Sequence, residues 1–395
     1  MIKESIKKLI PSFLLSTYHW FLALLGAVFY GFPSKELIVI GVTGTNGKST
    51  VINLFTLILQ EAGYKTASLS SIKLKIAEKE WPNTLKMTMP GRLKLQKFLR
   101  EAVKAGCKYA VLEVTSEGIK QHRHKFIDFN TAVFTNLTKE HIEAHGSFEK
   151  YKKSKGELFK SCRGTHVINL DDKNSQYFWQ FQANNKIGYS LKDISKFQPL
   201  NLKLFGEFNI YNALAAIQVG LSQGIDLETC KKALEKVKSI PGRMETVIKK
   251  PFMVIVDYAH TPDALEKVYE AIDNHFPNTN NKICVLGAAG GGRDKRKRPE
   301  LGKIADKYCQ EIILTNEDPY DEDPKQILSE IESGISNPNL YQILDRRQAI
   351  NKALGMAKPG DLVVITGKGS EPWMCLAEGK KIPWDDRKIA REEFK

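Results

Sequence analysis

The chain has 395 residues, 42% apolar and 26% charged, which is material for roughly two to four domains with sizeable cores. That composition excludes a disordered tail, a collagen-like repeat and a multi-span membrane protein. Fifty-nine basic against 45 acidic side chains leave a net charge of +14, which points to anionic partners without choosing among nucleotides, phosphosugars, nucleic acid and an acidic membrane face.

Lys3, Lys7 and Lys8 precede Phe13–Phe32, a stretch free of Asp, Glu, Lys and Arg. It is long enough to span a bilayer, but Ser16, Thr17, Tyr18 and His19 interrupt it, and Gly26, Gly31 and Pro33 punctuate its end. It reads either as a helix packed on the body or as a monotopic or spanning membrane helix. No A-x-A cleavage pattern is evident, so a removed signal peptide is not expected. Beyond Pro33 the pattern becomes strand, helix, strand. Glu36–Val42, Tyr109–Val114 and Thr131–Thr135 read as buried parallel strands, and Lys48–Ala62 as a helix stopped by Gly63. From Pro241 a second unit alternates strands (Phe252–Asp257, Ile283–Gly287, Glu311–Thr315, Tyr341–Leu344, Asp361–Thr366) with helices (Pro262–His275, Pro299–Cys309, Pro324–Ser333, Arg346–Met356). The expected organisation is an apolar helical segment at 1–37, an α/β nucleotide-binding domain at 38–240 and a Rossmann-like doubly wound domain at 241–395. The six cysteines show no C-x-x-C, so neither a disulfide framework nor a zinc site is expected, and a reducing, cytoplasmic setting fits.

The strand ending in Val42 runs into Thr43-Gly44-Thr45-Asn46-Gly47-Lys48-Ser49-Thr50 and then a helix. Small residues let backbone N–H groups approach phosphate oxygens, and a helix N-terminus adds positive potential. Lys48 can reach terminal phosphates, and Ser49 or Thr50 can bind Mg²⁺. Val42 stands where the strict phosphate-loop pattern has its first glycine, but the strand–loop–helix context carries the reading.

The Gly44–Thr50 motif resembles that of the Mur ligases. Further segments agree in order: Leu112–Gly118, Thr135–His141, Tyr151–Phe159, Phe208–Ala216, Pro241–Glu245, Val256–Leu265, Gly292–Pro299 and Gly367–Glu371. Within the family the MurE type is the most similar, over residues 38–395. The resemblance implies an ATP-dependent ligase of peptidoglycan synthesis, in which a substrate carboxylate attacks the γ-phosphate and an amine displaces the acyl phosphate. Both partners are anionic, so cations must suppress their repulsion. It implies catalytic roles for Lys48, Glu113, His141 and Lys155, with Ser49, Glu113 and His141 at Mg²⁺. Lys155 lies fourteen residues after His141, the family's spacing for a carbamoylated lysine. Asn136, Asn209, Asn212, Arg243, Asp257 and His260 join Gly44, Thr45, Asn46, Gly47, Lys48, Ser49 and Thr50 as implied ATP contacts, on a nucleotide held between two domains. His145 is read as structural.

On the substrate side, Thr88, Pro90, Thr115, Ser116 and Arg123 resemble residues that meet a nucleotide-sugar peptide, with Glu117 in place of the family's histidine. Arg293, Asp318, Gly367 and Glu371 are implied in the amino-acid pocket. Diaminopimelate-using members read the distal carboxylate with D-N-P-R. Here Glu317-Asp318-Pro319-Tyr320 lacks that arginine, so lysine or another diamino acid stays open. MurE-type members hold UDP on a further N-terminal domain, whereas here 37 residues precede the first ATPase strand. The alternatives are a related ligase with a different peptide or folate-type acceptor, and a non-ligating ATP switch at the membrane. Nucleic acid is not an expected partner, because no aromatic residue interleaves Arg293–Arg298. The expectation is a cytoplasmic monomer with peripheral membrane contact through residues 13–32.

Overall fold

Buried β-branched runs build the first sheet. In this computed structural model, which describes residues 11–394 other than Lys86 and His141, the strands are β1 (Ile38–Thr43), β2 (Thr66–Leu69), β3 (Lys73–Ile76), β4 (Lys79–Pro82), β5 (Tyr109–Glu113), β6 (Phe129–Phe134), β7 (Thr165–Asn169) and β8 (Asn185–Tyr189). Their order is β4-β3-β2-β5-β1-β6-β7-β8. From β2 to β8 all neighbours are parallel, and β3 and β4 add an antiparallel edge. β1 lies at the centre between β5 and β6, covered on both faces, which is why it reads as a continuous apolar run rather than an alternation. Its register pairs Val42 with Glu113, so the loop after β1 and the end of β5 open side by side. A Cβ on Gly41 would meet Leu158, on helix Phe148–Ser161, and Phe129 at 2.9 Å, so a side chain there would force one of them to shift.

The second sheet contains β9 (Glu245–Ile248), β10 (Met253–Asp257), β11 (Lys282–Leu286), β12 (Glu311–Leu314), β13 (Leu340–Gln342) and β14 (Leu362–Thr366), in the order β13-β12-β11-β14-β10-β9. All are parallel except β9, which pairs antiparallel with β10. Alternate residues face opposite cores. Ile255, Cys284, Leu286, Ile312 and Val364 pack beneath helices Pro262–His275, Lys297–Tyr308 and Pro324–Glu332. Val254, Val256, Ile283, Val285 and Ile365 pack beneath Arg346–Met356 and Asp386–Glu393. A hairpin of β15 (Trp373–Cys375) and β16 (Lys381–Pro383) follows.

The chain divides into two compact units. The first runs up to Leu137 and includes Ala144–Asn201 and Tyr211–Lys236; the second includes Thr138–Glu143, Leu202–Ile210 and everything from Val237 on. The helix Ser12–Phe29 belongs to the first unit and lies against Arg92–Lys104. Among the described residues no helix is long and apolar enough to cross a membrane, which removes the spanning reading. One expectation about cysteine is corrected: Cys284 and Cys309 form a disulfide. Pairing depends on closeness in space, here 6.1 Å between Cα atoms, and not on a short spacing in the chain. Cys107, Cys162, Cys230 and Cys375 are free and buried.

Candidate active site

The loop after β1 is shaped by two glycines in the left-handed region, Gly44 (φ 150°) and Gly47 (φ 84°). A Cβ on Gly44 would strike Thr135 Oγ1, and one on Gly47 would come within 2.4 Å of Asn212 Oδ1. The end of β6 ties the loop down. Thr45 N donates to the Asn136 carbonyl at 2.8 Å, Asn46 N to Asn136 Oδ1 at 2.9 Å, and Thr135 Oγ1 to the Asn46 carbonyl at 2.7 Å. Asn136 thus clamps the loop with both its side chain and its backbone. Thr50, in the first turn of helix Lys48–Glu61, is buried.

Five side chains converge beside this loop. Ser49 Oγ donates to Glu113 Oε2 at 2.7 Å and lies 2.7 Å from Ser71 Oγ. Ser71 N donates to the same carboxylate oxygen at 2.9 Å. Lys48 Nζ donates to the Thr45 carbonyl at 2.8 Å and stands 3.7 Å from Glu113 Oε1. Lys155 Nζ donates to the Gly44 carbonyl at 2.6 Å and sits 4.6 Å from the centre of the Tyr151 ring. Burial, reinforced by the Lys48 charge and opposed by Glu113, holds the Lys155 ammonium well below the usual lysine range. The Ser49 hydroxyl and the Glu113 carboxylate are hard oxygen donors of the kind Mg²⁺ prefers, so the residues fit that ion. His141, expected beside them, lies outside the described residues.

In the second unit, Asp257 ends β10 and accepts from Met244 N and Ala259 N, both at 2.7 Å. Burial pushes its carboxyl up, against the pull of Arg243 and the two N–H groups. The Arg243 guanidinium lies 4.3 Å from the centre of the Tyr258 ring. The His260 ring is 2.9 Å from the Tyr258 carbonyl; burial and the Lys297 charge push its imidazole down to about 3, leaving it neutral at neutral pH. Asn209 donates to the Phe205 carbonyl at 2.8 Å. Lys368 is fully enclosed between Asp318 Oδ1 (2.9 Å) and Glu371 Oε2 (2.5 Å), and Glu371 also receives Tyr258 OH at 3.1 Å. Gly367 has φ 107°, and a Cβ there would meet Glu317 Oε2 at 2.6 Å. Arg293 is exposed.

Two adjoining segments match known families. The Mur ligase middle domain matches residues 42–220, and the glutamate ligase domain of the Mur ligases matches 242–369. The chain belongs to the Mur ligase family. It is therefore an ATP-dependent, Mg²⁺-requiring ligase that forms an amide bond. A UDP-N-acetylmuramoyl-L-alanyl-D-glutamate–2,6-diaminopimelate ligase of Caldanaerobacter subterraneus is 37% identical, over 94% of this chain and 81% of its own. A UDP-N-acetylmuramyl-tripeptide synthetase of Roseiflexus is 34% identical over the same shares. The solved structure of a UDP-N-acetylmuramoyl-L-alanyl-D-glutamate–2,6-diaminopimelate ligase superposes with a TM-score of 0.59 at 31% identity, covering 91% of this chain and 78% of that one.

The residues of this Mur ligase expected to meet a nucleotide-sugar peptide lie in the first unit. Thr115 Oγ1 caps the helix Ser116–Lys120 by accepting from Gly118 N at 3.1 Å, and the buried Ser116 accepts at its carbonyl from Ser154 Oγ. Arg123 Nη1 donates to the Met89 carbonyl, between half-buried Thr88 and buried Pro90, and Nη2 donates to Gln121 Oε1 at 2.8 Å. Arg92 donates to the Gln121 carbonyl at 2.9 Å, and the two arginine charges face one another. Where the family has a histidine, Glu117 Oε1 is 3.6 Å from His145 Nε2; burial with Lys120 and Lys155 pushes that imidazole down to about 4, so at neutral pH the contact is no ion pair. Sequence reading missed Ser71, Arg92, Glu317 and Lys368. Lys368 stood inside the quoted Gly367–Glu371 segment, and its position between two acidic residues' side chains is visible only in the fold. Ser71 had no motif of its own.

Proposed function

We propose that this Mur ligase adds an amino acid, a diamino acid, to the terminal carboxylate of a UDP-N-acetylmuramoyl-dipeptide, in the manner its similar relatives are named for. The observation that carries the reading is the convergence of Lys48, Ser49 and Glu113 under a phosphate loop whose glycines admit no side chain. In this proposal residues 38–240 are the ATP-binding domain, and residues 241–395 take the incoming amino acid and contribute Arg243, Asp257 and His260 to the nucleotide. Loop N–H groups from Gly44 to Thr50 grip the phosphates, and Lys48 turns from the Thr45 carbonyl to the γ-phosphate. Mg²⁺, when bound, screens the phosphate charge so that an anionic acceptor can approach. Ser49 and Glu113 would hold it, and the family resemblance adds His141 as a further ligand. An acceptor carboxylate oxygen then forms a bond to the γ-phosphorus as the bond to ADP breaks. The amine attacks the resulting acyl carbon, and phosphate leaves.

Lys155 takes part through its neutral amine. Burial beside Lys48 disfavours the ammonium, and a neutral amine is what carbon dioxide adds to. The resulting carbamate would place an anion where the amine now makes no ion pair with a carboxylate among the described residues. Arg243, Asp257, His260, Asn209 and Asn212 take the nucleoside side. Arg123 meets the acceptor peptide with Thr88, Pro90, Thr115 and Ser116. Arg293, Asp318, Gly367 and Glu371 frame the amino acid. We place the reaction in the cytoplasm, carried out by a monomer.

The test is mass spectrometry of the product from UDP-N-acetylmuramoyl-dipeptide, ATP and a mixture of amino acids. One added diamino acid, with acceptor ¹⁸O recovered in phosphate, is the expected result. Phosphate release that ignores both acceptor and amino acid would overturn the reading in favour of a switch. Lys155→Ala should lose activity and regain part of it with acetate or formate; no regain would remove the carbamate.

A further inference from the structure

The helix Ser12–Phe29 carries its large apolar residues outward. Its inner side is small. Ala23 and Ala27 are enclosed, and a Cβ on Gly26 would meet Leu93 Cα at 3.4 Å and Gln96 Cγ at 3.5 Å. Leu14, Tyr18, Phe21, Leu25 and Val28 recur at spacings of four, three, four and three, which makes one stripe on an α-helix. All five are exposed, by 45% for Leu25 up to 58% for Val28, and Phe13 and Phe29 extend the stripe at 67% and 77%. A helix on the surface of a globular protein normally shows the reverse, with the apolar stripe toward the core. A contiguous apolar strip in water marks a docking surface.

The strip does not wait to fold back onto its own unit, because the helix is already fastened there. Ser16 Oγ and His122 Nε2 are 2.7 Å apart, and the Trp20 ring meets the edge of Phe126 at 5.2 Å. Arg100 donates from Nε to the Tyr30 carbonyl at 2.8 Å and from Nη2 to the Gly31 carbonyl at 3.0 Å.

Charge selects the occupant. No Asp or Glu occurs from Ser5 to Lys35, while Lys7, Lys8 and Lys35 do. The neighbouring helix Arg92–Lys104 carries Arg92, Lys94, Lys97, Arg100 and Lys104 against a single Glu101, and leaves Leu93 exposed. A second copy seated on the strip would bring two such basic sets together. An acidic surface would be attracted by each lysine or arginine near it. Exposed Tyr18 and Trp20 have apolar rings with polar tips, the residue type that settles at headgroup depth. Spanning is excluded for this helix. We propose that Leu14, Tyr18, Phe21, Leu25, Val28 and Phe29 seat this enzyme on an anionic lipid bilayer, with the helix lying in the interface and the flanking cations at the lipid phosphates.

The test uses the full chain and sedimentation with sucrose-loaded vesicles. Vesicles of phosphatidylcholine with phosphatidylglycerol should carry the protein down, and pure phosphatidylcholine should hold about tenfold less. Raised salt should weaken binding to the anionic vesicles, and bromine-labelled acyl chains should quench tryptophan fluorescence. The double variant F21S/L25S should lower the partition coefficient at least about tenfold, as expected for removing two apolar anchors, with ATP turnover unchanged. If that variant fails to fold, Lys94→Gln with Lys97→Gln, which alters charge alone, should lower binding to anionic vesicles only. Absence of the wild type from both pellets overturns the proposal. So does a wild-type dimer that F21S/L25S converts to a monomer, since a second copy would then cover the strip.

Discussion

Lys155 in the first unit and Lys368 in the second are both lysines hidden from water, at 2% and 0% exposure. Their surroundings differ. Lys368 sits between the carboxylates of Asp318 and Glu371. Lys155 donates to a loop carbonyl and faces an aromatic ring, with no carboxylate in ion-pair contact among the described residues. The second unit repeats the paired arrangement: Arg346 lies 2.7 Å from Asp386, and Arg298 lies 2.9 and 2.6 Å from Glu322 and Glu330. Removing an ion from water costs several kcal/mol unless a partner offsets it. The paired cations are explained by the fold they sit in. Lys155 is not, and it stands directly under the phosphate loop, where an unmet charge requirement has a chemical use.

The strongest way to break this contrast is to remove a paired cation. Arg346→Ala should destabilise the second unit by about 3–5 kcal/mol in urea unfolding, because Asp386 is left buried without its counter-charge, with only the Trp384 indole N–H donating to it. The double variant R346M/D386L should recover most of that, to within about 2 kcal/mol of wild type. Equal losses in both variants would mean that the pair itself supplies the stability. Next come the site residues. Lys48→Ala and Glu113→Ala should each lower kcat by about 10²–10³-fold with little change in the unfolding midpoint, as losing a group that meets developing charge does. Near-wild-type rates in saturating Mg²⁺ would break the assignment.

Lys155 sharpens the contrast through pH. Its folded-state pKa is lowered from 10.5, so below that value the unfolded chain holds a proton that the folded chain resists. Stability should therefore rise as pH climbs toward 10.5 in carbon dioxide-free buffer, and Lys155→Met should flatten that rise while gaining stability near neutrality. A destabilised Lys155→Met with an unaltered pH slope would show that the ammonium is satisfied after all. Smallest of all is Glu61→Gln. Glu61 pairs with Lys232 and Lys236 at the surface, and its removal should leave the unfolding midpoint unmoved in a thermal melt.

Much of the second unit was legible in advance. Helices Pro262–His275 and Arg346–Met356 run between the expected residues, and the strand expected at 361–366 differs by one residue. These elements are bounded by proline, by N-capping Thr261 and Asp345, and by apolar runs, all of them local signals. β7, β8 and the hairpin of β15 and β16 were not read, nor were four short strands, β2, β3, β4 and β9. Each of these last is four residues long, and β4 is exposed throughout, so no alternation stands out. The helix at 12–29 was expected, but not that its small residues would face inward, because periodicity locates a stripe without saying what it faces.

Residue order alone settled the phosphate loop, the alternation of strands and helices and the ligase family, since these rest on local backbone demands: glycine where φ is positive, small residues beside phosphate, apolar runs where a parallel sheet is covered on both sides. Only the three-dimensional packing decided that Ser71 holds Glu113, that Cys284 meets Cys309, that Lys368 is caged while Lys155 is not, and that an apolar stripe points into solvent. Those outcomes depend on which distant segments come within a few ångströms, and burial and charge pairing are properties of that proximity.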